Sequence, residues 1–508
     1  MPFNKVCLIR PSIFTTSDSL GVEIMLPFGP AYLAAYLRQE GFDISFIDAL
    51  GEGMNQYTPL DDLPNSFLRG LTHEETAQRI PADVEVIGVS SMFSVNWVVT
   101  RHLIETLRRH FPTALLLVGG EHATALPEYC LRNAPEIDYL VIGEGEQTTV
   151  ELLKTLAAGG VDESVPGIAF LRNGQYRATT ARLREKDLSV FPWPAWDLLP
   201  VADYLDNVTA SLDYGRTMPI MTSRGCPYNC TFCSSPGMWG RLWRVRAPED
   251  VVAEIEHNIR TYRITHLDFM DLTTVMKRSW IITFCKLLIE RHLKMNWQII
   301  ATRTEMIDSE VAQWLKRAGC SYITYAPESG SDRVLASIRK KLDKEAMLTS
   351  ITSVVDAGIG VKMNFVAGFP DDRLVDILAS YRMVARAAWR GAHDASFFPF
   401  APYPGSALFQ RLVDEGKIEV NDPYFFRLAL YSVGYMKSVA YRFSDHGLRW
   451  LCLIGMALFY SVNFIRRPYR LWYLVRDVRR REGKTKLAAI LVMVMKNRHR
   501  IRHATTGG

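Results

Sequence analysis

Long apolar runs are scarce in this sequence, which excludes a polytopic membrane protein. The uncharged stretch from Trp450 to Ile465 has only sixteen residues, short of the ~20 needed to span a hydrocarbon core. Cysteine is sparse too: eight in 508 residues, scattered except for one tight group at 226, 230 and 233. That is not the spacing of a secreted disulfide scaffold, and it points to a reducing cytoplasm. The amino-terminal segment offers only four apolar residues in a row, Val6 to Ile9 beside Lys5. It has neither the length nor the cleavage site of a secretory leader and reads as a first buried strand. Carboxylates are nearly absent from one region: between Arg466 and Arg502 thirteen Lys or Arg face only Asp477 and Glu482, a local net of +11. Since the whole chain carries +5, everything before that region sums to about −6, and the positive charge belongs to the tail.

What is present fits folded globular domains, with 48% hydrophobic, 22% charged and 11% aromatic residues. The length suggests about three of them. In the first 150 residues, short apolar runs (Val6 to Ile9, Ile44 to Ile47, Val86 to Val89, Leu115 to Val118, Tyr139 to Ile142) alternate with helical stretches such as Ala31 to Gln39, Val98 to His110 and Leu126 to Arg132. Alternation of this kind predicts an α/β fold, a doubly wound, flavodoxin-like parallel sheet that binds ligands at the carboxyl ends of its strands. Small and polar residues collect at those ends: Ser90-Ser91-Met92, Gly119-Gly120-Glu-His122 and Gly143-Glu144-Gly145-Glu146. Glycines there let a bulky ligand approach the backbone, and they also serve tight strand-to-helix turns.

A proline-rich segment, Phe191-Pro-Trp-Pro194-Ala-Trp-Asp197-Leu-Leu-Pro200, is too stiff and too poor in amide donors for a sheet and marks a boundary. Beyond it a strand, Met218 to Thr222, runs into Ser223-Arg-Gly225-Cys226-Pro-Tyr-Asn-Cys230-Thr-Phe-Cys233. Three thiolates spaced C-x3-C-x2-C on one loop can each hold one iron of a cubane and leave the fourth iron open. A structural zinc site asks for four closed ligands, and no fourth Cys or His follows at knuckle spacing. Further strands at His266 to Met270, Trp297 to Ala301, Tyr322 to Ala326, Val361 to Val366 and Ala395 to Phe400 alternate with helices at Val251 to Tyr262, Ser279 to His292 and Asp308 to Ala318. This predicts a partial or full βα barrel with its reactive groups at the strand carboxyl ends. Asp271, Arg303, Glu328 and Ser329 stand there, each equally at home as a helix cap or an ion-pair partner.

The cysteine phrase, with Gly225 and Phe232 in place, resembles the signature of radical S-adenosylmethionine (SAM) enzymes. The amino-terminal succession Pro27-Phe-Gly29-Pro30-Ala-Tyr-Leu-Ala-Ala-Tyr-Leu, Asp48-Ala49, Ile87-Gly-Val-Ser90, Val118-Gly-Gly-Glu-His-Ala-Thr124 and Ile142-Gly-Glu-Gly-Glu146 resembles the cobalamin-binding domain of the B12-dependent members of that family. The resemblance implies a B12-binding domain at 1–155, a linker at 156–210, a radical SAM partial barrel at 211–425 and a helical basic region at 426–508. It implies a [4Fe-4S] cluster on Cys226, Cys230 and Cys233, which serve as metal ligands and as the catalytic residues. SAM is then held near Phe232, Asp271, Arg303, Glu328 and Ser329, and cobalamin is cradled by Ser90, Ser91, Gly119, Gly120, His122, Gly143 and Glu144. No D-x-H-x-x-G motif occurs, so the resemblance implies a cobalt without a histidine from that motif beneath it. His122 is the nearest alternative and reads as a loop hydrogen-bonder. The sequence departs from the family at Leu272, where relatives usually carry a second acid, and at Pro327 before the glutamate.

The reaction implied is methyl transfer to an unactivated carbon of a small hydrophobic substrate (a lipid, isoprenoid or tetrapyrrole) through a 5′-deoxyadenosyl radical. Electrons would come from a donor such as flavodoxin or ferredoxin. An oxidative cyclase like the anaerobic magnesium-protoporphyrin monomethyl ester cyclase is the alternative. Alternating apolar and basic blocks in the tail predict helices lying on an anionic membrane, hence a cytoplasmic protein peripheral on the inner face. No RNA-binding pattern is visible, and no nucleic-acid partner is expected.

Overall fold

The computed structural model describes residues 3–16, 24–60, 63, 65–207, 215–302, 306–429, 437–480, 487–488 and 491. Two large sheets organise them. The first has seven strands in the order Gln175–Ala178, Ile168–Arg172, Tyr139–Val141, Leu115–Gly119, Val86–Ser90, Lys5–Arg10, Asp43–Asp48. Its five parallel strands run 2-1-3-4-5 in chain order, the flavodoxin-like doubly wound arrangement, whose switch point lies between Lys5–Arg10 and Val86–Ser90. Helices cover both faces, so the central strands are buried on both sides and read as near-continuous apolar runs such as Val6-Cys-Leu-Ile9.

The stretch expected as a linker is instead part of this unit. Ile168–Arg172 pairs antiparallel with Tyr139–Val141, and Gln175–Ala178 folds back on it as a hairpin. Asn173 and Gly174 sit at φ 52° and 73°, as a type I′ turn requires. The prolines follow this hairpin, and the chain after them is tied down as well. The Tyr204 hydroxyl donates to Asp48 at 2.6 Å, and Trp193 donates to Asp250 of the second unit at 2.9 Å.

The second sheet has six parallel strands in chain order: Thr217–Ile220, His266–Phe269, Asn296–Thr302, Cys320–Glu328, Gly360–Ala367 and Asp394–Pro399. Each is followed by a helix packed outside, giving a partial barrel whose first and last strands do not pair. The first strand is shorter than expected. It stops at Ile220, because the backbone of Thr222 and the hydroxyls of Thr222 and Ser223 turn to the Asp271 carboxylate. Ser223–Arg224 then pairs antiparallel with Arg244–Val245, closing the base of the cysteine loop.

After the barrel the chain returns to the first unit. The helix Asp422–Leu428 spans the boundary expected at 425, and Asp422 accepts from Arg101 at 2.8 Å. The helix Asp445–Arg466 then packs on Leu374–Arg390 and on the last barrel strand, burying Leu448, Cys452, Gly455, Phe459 and Asn463. That spacing is one helical stripe. A Cβ on Gly455 would stand 2.7 Å from the Phe397 ring, so the close approach depends on glycine.

Candidate active site at the domain interface

The eight cysteines, none of them in a disulfide, fall in two populations. Cys7, Cys130, Cys285, Cys320 and Cys452 are buried, and desolvation pushes their thiols up, to about 11 for Cys7 and about 12 for Cys320 and Cys452. Cys226, Cys230 and Cys233 are half-buried on one loop. Among the described residues no three His, Cys, Asp or Glu side chains converge as ligands of a single ion. Thiolates on three different irons of a cubane stand farther apart than ligands of one ion, and three partly accessible thiols on a short loop suit that group.

The loop is held from below and from both flanks. Asp271 is buried and accepts from the Thr222 amide at 3.3 Å, from its hydroxyl at 2.9 Å and from the Ser223 hydroxyl; burial raises its carboxyl to about 6. It anchors the strand end that launches the loop. Gly225 takes φ 84°, and a Cβ there would meet the Leu242 carbonyl oxygen at 2.1 Å, so no other residue fits without moving backbone. The Thr231 amide donates to the Ile338 carbonyl at 3.0 Å and its carbonyl accepts from the Leu408 amide at 2.8 Å. Phe232 packs edge-on against Phe369 at 5.8 Å, with the Lys340 ammonium 5.9 Å from its ring.

Glu328 adopts φ 63°, a left-handed conformation rare for a non-glycine residue and typical of functional sites. Its carboxylate accepts from Lys340 at 2.7 Å in a buried pair. Ser329 is turned inward: its hydroxyl accepts from the Ser331 amide at 3.1 Å and lies 3.3 Å from the Ser380 hydroxyl. Arg303 lies outside the described residues.

The two units meet at the cysteine loop. Arg224, two residues before Cys226, is buried and donates to Glu144 at 3.1 Å and Glu146 at 2.7 Å, with its guanidinium over the Tyr32 and Phe191 rings. Ser234, the residue after Cys233, donates to Glu121. Arg184 also binds Glu144, at 3.1 Å. Glu144, expected in the cobalamin cradle, is thus committed to two guanidiniums that bind the units together. Sequence reading missed Arg224, Glu146, Glu121 and Lys340. The one signal for Arg224 is its place inside the cysteine phrase; its partners stand about eighty residues away.

At the strand ends of the first unit, the Ser91 amide donates to the Gly119 carbonyl at 2.7 Å and the His122 amide to the Ser91 carbonyl at 3.1 Å. Gly120, at φ 122°, lets these loops touch: a Cβ would lie 2.5 Å from the Ser91 carbonyl oxygen. Gly143 donates to Thr124 at 3.0 Å, and a Cβ there would meet nothing nearer than Met238 in the short helix after the cysteines, at 3.9 Å. The Ser91 hydroxyl and His122 Nε2 are buried without a protein partner, and such groups cost roughly 1–3 kcal/mol each until a ligand or water satisfies them. The Ser91 hydroxyl, at the end of the strand beside the switch point and next to exposed Met92 and Phe93, fits a polar-edged cofactor such as cobalamin.

His122 itself lies between Trp97 and Phe425 and shares a hydrogen bond of 2.9 Å with Ser94 through Nδ1. Burial lowers its pKa from 6.5 to about 3, so it is neutral in the fold. The unfolded chain binds a proton that the folded chain refuses. This contribution to stability is full above pH 6.5 and is lost as pH falls toward 3. At about pH 5 the loss is about 2 kcal/mol. His122→Asn is therefore expected to show a smaller drop in Tm between neutral and acid buffer than the parent chain, measured on the apoprotein by differential scanning fluorimetry. Buried Asp271 and Asp372, both raised, act in the opposite sense, so only the parent–variant difference isolates the histidine.

Comparison with known proteins matches both units of the fold. The B12 binding domain family matches residues 22–153 and the Radical SAM superfamily matches residues 220–384. An uncharacterized methyltransferase of Pyrococcus horikoshii is 28% identical over 413 residues, covering 81% of this chain and 83% of that one. The anaerobic magnesium-protoporphyrin IX monomethyl ester cyclase of Cereibacter sphaeroides is 29% identical over 429 residues, covering 82% and 65%. Hopanoid methylases are more distant relatives. The radical SAM methyltransferase TsrM of Kitasatospora setae, solved with cobalamin and a [4Fe-4S] cluster, shares the fold with a TM-score of 0.64 at 14% identity, covering 90% of this chain and 91% of that one. With both domains matched in order and the cysteine loop pinned between them, this chain belongs to the cobalamin-binding radical SAM enzymes.

Proposed function

We propose that the chain is a methyltransferase acting on an unactivated carbon of a hydrophobic substrate. One observation carries the reading: the residues flanking the cysteine triad, Arg224 and Ser234, are bonded to the strand-end loops of the B12-binding domain through Glu144, Glu146 and Glu121. When bound, the cluster with SAM supplies a hydrogen-abstracting 5′-deoxyadenosyl radical and cobalamin supplies a methyl group. The protein's part is to bring the two reactive ends to one cavity. Cys226, Cys230 and Cys233 would hold the cluster; Ser91 and His122, with the glycine turns at 119–120 and 143, would hold cobalamin. Glu328, poised by its strained backbone and by Lys340, would receive the ribose hydroxyls of SAM. Glu328→Gln is expected to raise the SAM dissociation constant about tenfold while leaving iron content unchanged, as read by equilibrium dialysis and iron analysis of the reconstituted protein.

The hydrophobic substrate class is supported by relatives named for hopanoids and for a porphyrin ester. The cyclase is as similar in sequence as the methyltransferase, so oxidative ring closure is the second reading. Anaerobic turnover with SAM, cobalamin and a strong reductant separates the two. Methyl transfer gives both 5′-deoxyadenosine and S-adenosylhomocysteine; a cyclase gives 5′-deoxyadenosine alone. Absence of S-adenosylhomocysteine in the presence of an accepted substrate would overturn the methyltransferase reading.

A further inference from the structure

The helix Asp445–Arg466 is long and apolar enough to cross a membrane by length and composition, with a mean hydropathy of 1.6, yet only 28% of that apolar window is buried in the protein. Its inner stripe is locked to the barrel. Asn463 donates to the Ala392 carbonyl at 2.6 Å, Tyr381 donates to the Leu451 carbonyl, and Gly455 lies on Phe397. A helix held along its length by its own barrel cannot be surrounded by lipid. Its outer face is nonetheless apolar: Trp450 is 65% exposed, Ile454 49% and Ile465 79%.

The two helices packed against it carry exposed apolar side chains as well: Leu374 and Leu378 at the start of Leu374–Arg390, and Trp472 of Pro468–Arg480. The only carboxylates on these three helices are Asp376 and Asp477, both buried, and Asp445 at a helix start, where it accepts from the Ser438 amide at 2.7 Å. Arg449, Arg466, Arg479 and Arg480 are exposed around the face, and Arg476 lies over the Trp472 and Tyr473 rings at 5.4 and 4.7 Å.

An apolar centre, aromatic rings with guanidiniums at the edge and charge of one sign are what a helix lying in a lipid interface presents. We infer that this three-helix face docks flat on an anionic phospholipid bilayer, without crossing it. A second copy of the chain fits the face less well, since a symmetric contact would set arginines against arginines. Nucleic acid gains nothing from the aliphatic centre. The inference does not depend on methyl transfer, because it is read by partitioning alone.

The test is flotation of the full-length protein with vesicles of phosphatidylcholine containing phosphatidylglycerol, against vesicles of phosphatidylcholine alone. Binding is expected to the anionic vesicles and to weaken with salt. Arg479→Gln and Arg480→Gln should each reduce partitioning about fivefold. Trp450→Ser with Ile454→Ser should reduce it tenfold or more at unchanged melting temperature, since both side chains face outward. Failure to float with anionic vesicles, equal binding to neutral ones, or self-association that the same substitutions abolish would each overturn the inference.

Discussion

Cys230→Ala is expected to bring 5′-deoxyadenosine formation down by at least ~10³-fold and to strip iron from the reconstituted protein, while the melting temperature moves little. The thiol is half-buried on a loop that is fixed by other groups: Asp271 below it, the Thr231 backbone beside it and Arg224 at its start. Removing it leaves those contacts in place and deletes one of three cluster ligands. Cys285→Ala is the matched control. That thiol is fully buried in the barrel core, beside Phe284 in a helix that packs on the strands. Its loss should cost about 1–2 kcal/mol of stability and leave iron content and SAM cleavage intact. Ultraviolet–visible absorbance, iron analysis and mass-spectrometric quantification of 5′-deoxyadenosine read all three quantities. If the alanine variant at 230 kept its cluster, the assignment of the triad would be wrong.

Much of this site was legible because its determinants are local. Three cysteines at fixed spacing, apolar runs of strand length between helical stretches, and glycines at strand ends each act over a few residues, and the structure places them where periodicity predicts. The hairpin at 168–178 was legible too, since Asn173-Gly174 between two short runs is a strong turn signal, but the nearby prolines drew the segment into a linker. Other features needed the fold. Nothing local says that Glu144 faces two arginines, that Ser329 bonds inward or that Glu328 is held at positive φ by its neighbours. The apolar tail helix was equally ambiguous: sixteen uncharged residues fall short of a span, and only the buried stripe from Leu448 to Asn463 shows which side is already taken.

Arg224 should have an effect nearly as large as the cysteines, and of a different kind. Its guanidinium lies in a buried site between two carboxylates and two rings, so replacing it by methionine leaves Glu144 and Glu146 desolvated without their main cation. Breaking a buried pair in this way costs about 3–5 kcal/mol, visible as a lower melting temperature. Arg184 still holds Glu144, which makes Glu146 the more exposed to the loss. Adding Glu146→Gln to Arg224→Met should therefore return much of the stability, because the remaining side chain carries no buried charge. Function should not return with it. The cysteines would still bind a cluster, and SAM cleavage is expected to fall by less than about tenfold. The loop that carries them would no longer be registered against the B12-binding domain, however, and a displacement of about 1 Å between reacting partners is worth roughly a hundredfold in rate. The double variant is thus expected to form 5′-deoxyadenosine with little methylated product. Equal losses of both products would instead mean that Arg224 serves only the cluster loop, and that the two units are aligned by other contacts.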